Sequence, residues 1–322
     1  MKLLVLTVCL SFLSSVSFGR TFKIGTMIPE GTNYSTLLSD MAKEIKTKTK
    51  KRVKFKFAWG GVAGDEPDVL RKIRVGQYHG GVFTAKTLSD IYGDVWVMEI
   101  PFSFKDRAHS QKVLGELQRH FSKGLSKRGF ENIGLYETGE IYIVSKNEVK
   151  DLGSLRNQKL WLYQGDKLGE AFTKALNLVA VPISLPDVLS SLSTGMINAA
   201  YAPTLGIVGL QWHTKVSYLI EPPFAFHFQG FVLSGKSWRK IRIDDQKVIK
   251  KVAAKYTKLI SDSNYTDGAV SLEAIKKQGV KILKWPQKDM SKLTEVRTQV
   301  LSSMVQKKIL SEDMVKKFKE KL

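Results

Sequence analysis

Cysteine is almost missing from this 322-residue sequence, in which Cys9 stands alone. A single thiol makes no internal disulfide and no cysteine-based zinc site. Cys9 lies within the apolar stretch from Leu3 to Val16, so a chain cut after Gly19 has no thiol at all and suits an oxidising compartment. Long apolar runs are scarce as well. The N-terminal stretch falls short of the ~20 residues that a bilayer-spanning helix needs, and no later stretch reaches that length. With Lys2 before it and Ser17-Phe18-Gly19 after it, it reads as a signal peptide over residues 1–19. The expected product leaves the cytosol for the periplasm and does not itself span a membrane.

Signatures of catalysis are lacking too. There is no Gly-x-Ser-x-Gly elbow, no Walker loop and no His-Glu-x-x-His. The histidines His79, His109, His120, His213 and His227 are scattered without ligand spacing. Gly60-Gly61-Val62-Ala63-Gly64 precedes a helix pattern, yet it lacks the lysine and serine of a phosphate-binding loop. No enzyme activity, cofactor or dedicated metal is expected, although oxygen ligands for a bridging cation stay open.

Acidic residues are few against basic ones: 30 Asp+Glu face 51 Lys+Arg, for a net charge of +21. Such an excess suggests either a polyanion partner or a lysine-rich solvated surface. The cations are spread along the chain and no nucleic-acid motif accompanies them, so nucleic acid is not an expected partner.

What is present is a strand and helix alternation. Phe22 to Met27 reads as a strand, Tyr34 to Lys50 as a helix striped by Leu37, Leu38, Met41 and Ile45, and Val53 to Trp59 as a strand. Asp65 to Val75 is a helix with acids and a proline in its first turn, followed by the short strand Gly80 to Phe83. Asn132 to Lys146 is extended, and strands Lys159 to Tyr163 and Ala199 to Tyr201 then bracket helical patches. Phe228 to Leu233 is extended, and Asp244 begins an amphipathic helix that continues past Asp267. This rhythm predicts an α/β protein of two lobes rather than one large sheet, each lobe a mainly parallel sheet flanked by helices. Lobe I takes residues 20–140 and 231–270; lobe II takes 141–230 and 271–322, with the C-terminal helices.

Several patches resemble the solute receptors of TRAP transporters, the DctP-like family. Gly60 to Glu66 with Ile73-Arg74-Val75-Gly76-Gln77 is similar to its glycine loop and helix, and Ile100-Pro101-Phe102-Ser103-Phe104 to its Pro-Phe segment. Asp151-Leu152 with Lys159-Leu160, and Pro182 to Asn198, resemble the second lobe's first strand and a later helix. The resemblance spans nearly the whole chain after residue 19. It implies two lobes joined by strand crossings and a long helix, which close on a small-molecule solute and deliver it to TRAP-type membrane permease subunits.

One position departs from the family, where an arginine after the Lys-Leu pair grips the solute carboxylate; here it is Trp161. Losing that charge-assisted pair removes about 1.5–3 kcal/mol, while an aromatic offers an apolar wall. Tyr163 points the same way along the strand. The solute is then expected to be apolar or aromatic rather than a dicarboxylate, unless Trp161 faces the core and another Arg or Lys serves the carboxylate.

Ligands of open α/β sheets sit beyond the carboxyl ends of strands. That rule puts forward Asn33, Tyr34, Trp59, Phe83, Tyr201 and Thr204 as ligand-binding candidates, beside Trp161 and Tyr163. Glu137 joins them from the expected crossing, and Trp212 from the cluster Gln211-Trp212-His213. For any one of them, core packing or a turn is an open alternative.

Overall fold

The computed structural model describes residues 19–322, so the expected signal peptide, apart from Gly19, lies outside the described residues. Strand β1 (Arg20–Thr26) buries Phe22 and Ile24 by alternation and pairs in parallel with β2 (Val53–Ala58). The helix between them, Asn33–Lys48, starts where Thr32 accepts from the Ser35 N–H and buries Leu38, Met41 and Ile45 on one face. Helix Glu66–Arg74 then leads to β3 (Gly80–Thr84), parallel to β1 on its other side.

Further along come β4 (Phe130–Ser145), β5 (Lys159–Tyr163), β6 (Val179–Ile183), β7 (Ala199–Pro203), β8 (Tyr218–Ser234) and β9 (Lys281–Lys284). The sheet runs β2-β1-β3-β8-β4-β7-β5-β6, with β9 on β8. Pairing is parallel within β2-β1-β3 and within β7-β5-β6, and antiparallel where β8 and β4 join them. The two expected lobes therefore share one ladder. The long strands β4 and β8 pass through both, pairing with each other from Phe130–Ser234 to Ser145–Tyr218. The end of β8 carries β3, whereas its beginning carries β9.

Only Phe228 to Leu233 of β8 is legible as extended in the sequence; its first half contains Pro222 and Pro223. They fall where β8 slips against β4, between the pairs Ile141–Ala225 and Ile143–Ile220, so the missing N–H groups cost no ladder bond. Helix Arg107–Lys127 has no counterpart in the sequence reading; Asp106 caps it by accepting from the His109 N–H. The 35-residue helix Ile243–Lys277 packs on β4, on helix Asn33–Lys48 and on helix Thr204–Gly209, and so bridges both halves. Of the C-terminal helices, Gln287–Gln306 packs on Lys167–Ala175, and Glu312–Lys319 on the 3-10 turn Gly93–Glu99.

Close approach fixes Gly80, as it does Gly93 against the Ile309 carbonyl. A Cβ on Gly80 would lie 2.4 Å from the Val232 carbonyl oxygen across β3 and β8, and neither backbone has room to move. Gly80→Ala is expected to destabilise the fold by about 1–3 kcal/mol, read as a lower denaturation midpoint at unchanged slope. An unchanged midpoint contradicts this packing.

Candidate functional site

The carboxyl ends of β1, β3, β5 and β7 face one another across the middle of the molecule. From the first lobe, Asp65 caps helix Glu66–Arg74 and Glu66 is buried behind it, accepting from the Thr84 N–H (3.0 Å) and hydroxyl (2.7 Å). Burial raises the Glu66 carboxyl above its ordinary range despite these donors. Thr84 pairs with Gln229, whose Oε1 accepts from the Tyr34 hydroxyl at 2.7 Å, and Tyr34 also meets Tyr136 at 2.7 Å. Glu99 binds His227 Nδ1 and accepts from the Phe228 N–H, both at 2.8 Å. Burial opposes the charge on His227, but Glu99 outweighs it and raises that pKa.

From the second lobe, β5 ends in Trp161, Leu162 and Tyr163, and the next turn brings Asp166 to the start of helix Lys167–Ala175. Asp166 accepts from the Gly169 N–H (2.8 Å) and from the Tyr201 hydroxyl (3.0 Å). Burial pushes its carboxyl up to about 6. The Trp161 ring lies 5.9 Å from Tyr163 and 5.2 Å from Tyr201, and its Nε1–H donates to the Ile183 carbonyl at 3.0 Å. Tyr201 in turn meets Phe224 edge-on at 6.0 Å. The lobes touch where the Tyr163 hydroxyl comes within 3.3 Å of Asp65 and where Lys86 Nζ stands 5.6 Å from the Tyr163 ring centre. The result is a junction walled by aromatic rings and carboxylates. Among the described residues, no arginine is bonded to Asp65, Glu66, Glu99 or Asp166, and no three His, Cys, Asp or Glu side chains are placed to hold a metal.

The profile of the bacterial extracellular solute-binding protein family 7, DctP, matches residues 24–308. The chain belongs to that family. Relatives are distant: an uncharacterised protein of Haemophilus influenzae is 24% identical over 277 residues, covering 84% of this chain and 82% of its own. Solved DctP-type structures agree in fold. A TRAP periplasmic solute-binding protein of Haemophilus influenzae with bound L-gulonate superposes with a TM-score of 0.86 at 19% identity, over 94% of this chain and 99% of that one. Another from Desulfovibrio salexigens, with bound orotic acid, gives 0.85 at 18% identity over 94% and 98%. The mixed α/β, two-lobed architecture is thus that of TRAP receptors. DctP proteins are binding receptors and not enzymes, and this chain is one of them.

Within this DctP fold, the sequence candidates separate. Tyr163 and Tyr201 are half-buried at the junction with Trp161, 4% exposed in the second lobe's core, against both, and Tyr34 reaches it through Gln229 and Thr84. Trp212 sits 1% exposed behind Trp161, edge-on at 5.2 Å, in the second lobe's core. Phe83 is also core, at 1% exposure. Trp59 stacks on Phe57 at 4.5 Å, Asn33 bonds Asp267, and the Thr204 hydroxyl donates to the Gly268 carbonyl. Glu137 is buried in β4 beside Ser110 and Arg107. Sequence reasoning left out Lys86, Glu99 and Asp166 as site residues and took Asp65 and Glu66 for helix-starting acids only. The available signal was a glycine followed by an acid at a helix start, as in Gly64-Asp65-Glu66 and Gly165-Asp166.

Proposed function

We propose that the chain is a periplasmic receptor that holds a small organic solute between its lobes and hands it to a TRAP-type, ion-driven membrane permease. Residues 20–140 with 231–270 form one jaw, and 141–230 with 271–322 the other. The solute is apolar or aromatic in part, and it is not a small dicarboxylate. The aromatic face of Trp161, Tyr163 and Tyr201 carries this reading. The neighbours named above hold acids; here the carboxylates Asp65, Glu66 and Asp166 disfavour a dianion, and among the described residues no guanidinium bonds them, Lys86 and His227 being the cations beside them. A planar ring against Trp161 gains area burial and stacking instead.

Native mass spectrometry of the purified protein tests the class directly, with calorimetric titration of succinate and of benzoate as the two arms. A co-purified apolar or aromatic molecule, or heat from benzoate alone, supports the reading. Tight succinate binding that survives change at Trp161 overturns the solute class, and no bound small molecule under either test overturns the receptor itself.

The bridge between Tyr163 and Asp65 supports closure of the two lobes on the solute. Solute that touches both lobes raises the closed population by its differential affinity. Tyr163→Phe keeps the ring and removes the hydroxyl, so affinity for the co-purified solute is expected to fall about 2- to 10-fold with stability nearly unchanged. Calorimetry reads this, and equal affinity in both proteins argues against the bridge.

A further inference from the structure

The end of the first lobe farthest from the site gathers positive charge without matching acid. The beginnings of β1, β2, β3 and β4 and the end of β8 all lie there. Backbone bonds tie their loops together: Arg20 N–H to the Arg52 carbonyl, Ser234 N–H to the His79 carbonyl, and Gly235 N–H to the Gly129 carbonyl. The Arg20 guanidinium adds a bond to the Lys240 carbonyl. These loops expose Arg20, Lys50 and Lys51, then Lys127 and Arg128. The segment after β8 adds exposed Lys236, Arg239, Lys240 and Arg242.

Acids do not balance them. Asp245 is buried against Arg52 at 2.6 Å, Glu131 is paired with Lys250, and Glu44 with Lys48 and Lys255. Asp244 remains exposed, 3.8 Å from Lys247. His79 registers the imbalance, because after burial its charged form is disfavoured by Lys240 and Lys23. Two apolar side chains stand in the same region. Val75 ends helix Glu66–Arg74 just before β3 and is 67% exposed; Ile243 follows Arg242 and is 65% exposed. Cations within a Debye length of one another add their attraction for a charged surface, and exposed aliphatic groups gain only where that surface also offers hydrocarbon.

From this placement we infer that the far end of the first lobe docks on an anionic lipid surface. A soluble polyanion would use the cations but give nothing to Val75 and Ile243. The contact lies away from the junction of the lobes, so the protein concentrates at a membrane surface with its solute site unobstructed. This surface stands independently of which solute the receptor binds.

Sedimentation with vesicles tests it. Purified protein is expected to bind vesicles of phosphatidylcholine with 30% phosphatidylglycerol, weakly or not at all to phosphatidylcholine alone, and to release as salt rises. The triple variant Lys127→Glu, Arg239→Glu, Lys240→Glu is expected to lose about 100-fold in affinity. A control with the same change of net charge elsewhere, Lys174→Glu, Lys215→Glu, Lys281→Glu, is expected to lose far less. Unchanged thermal unfolding of both triples confirms that each folds. Ile243→Ser is expected to weaken vesicle binding and leave heparin retention unchanged. Equal losses in the two triples, or vesicle binding indifferent to Ile243→Ser, overturns the assignment.

Discussion

Trp161→Ala is expected to lower folding stability by about 3–5 kcal/mol, because it empties a ring-sized volume from a buried site. Trp161 is 4% exposed, leans on Tyr163, Tyr201 and Trp212, and holds the Ile183 carbonyl through its indole N–H. The ring thus supports the second lobe's core on one side and the junction on the other. Trp161→Phe separates the two roles: it keeps an aromatic face and gives up one hydrogen bond, worth about 1 kcal/mol. If the solute lies against the ring, Trp161→Phe retains the co-purified molecule while Tyr201→Ala loses it. Denaturant titration and native mass spectrometry read the two effects apart, and a Trp161→Ala protein as stable as the wild type contradicts the packing described.

Stability is also expected to fall as pH rises from about 4.5 to 7. Glu137 is 1% exposed in β4, and burial pushes its carboxyl to about 7, although Arg107 at 3.5 Å and the Ser110 hydroxyl pull the other way. Arg107 is shared with Asp262 at 2.9 Å, which leaves Glu137 under-compensated. The sign follows from proton linkage. Below the ordinary value of 4.5 the group is neutral both folded and unfolded, and its contribution is whole; above 7 the folded state carries a buried charge and the contribution is gone. The span amounts to about 3 kcal/mol. Asp166, raised from 3.8 to about 6, adds a slope of the same sign at lower pH. Glu137→Gln mimics the neutral form, so it is expected to match the wild type near pH 4.5 and exceed it near pH 7.5. Parallel profiles for the two proteins rule out Glu137 as the source.

Most of the fold was legible because its elements are locally determined. The strand Lys159–Tyr163 has the same limits in sequence and structure, and the stripe Leu38, Met41, Ile45 marks a helix whose first residue, Asn33, is one residue from the expected start. What escaped is set by distant partners. Pro222 and Pro223 break a strand in any local reading, and only the slip of β4 against β8 accommodates them. The crossing through Glu137 was expected, but the shared ladder was not, since nothing in β4 alone says which strand it pairs with. On β5, the shared direction of Trp161 and Tyr163 was legible from alternation. Trp212 and Phe83 were not separable from them, because a large ring one layer behind the junction has the same local pattern as one facing it. Asp166 and Glu66 gain meaning only from burial, and burial is a property of the assembled lobes.

The pair β4 and β8 runs through the middle of the molecule hydrogen-bonded along most of its length, with its register broken at Asn132–Gly134, at Glu137–Gly139 and again beside Pro222. Such a pair behaves as a torsion bar. A slide of one lobe past the other would tear the ladder, so the closure proposed above is a twist at those interruptions, with Gly139, at a φ of 138°, able to take it up. A guest held by a single jaw exerts no torque on that bar. On the closure proposed above, a solute has to touch both lobes at once, so its span would select it as well as its chemistry.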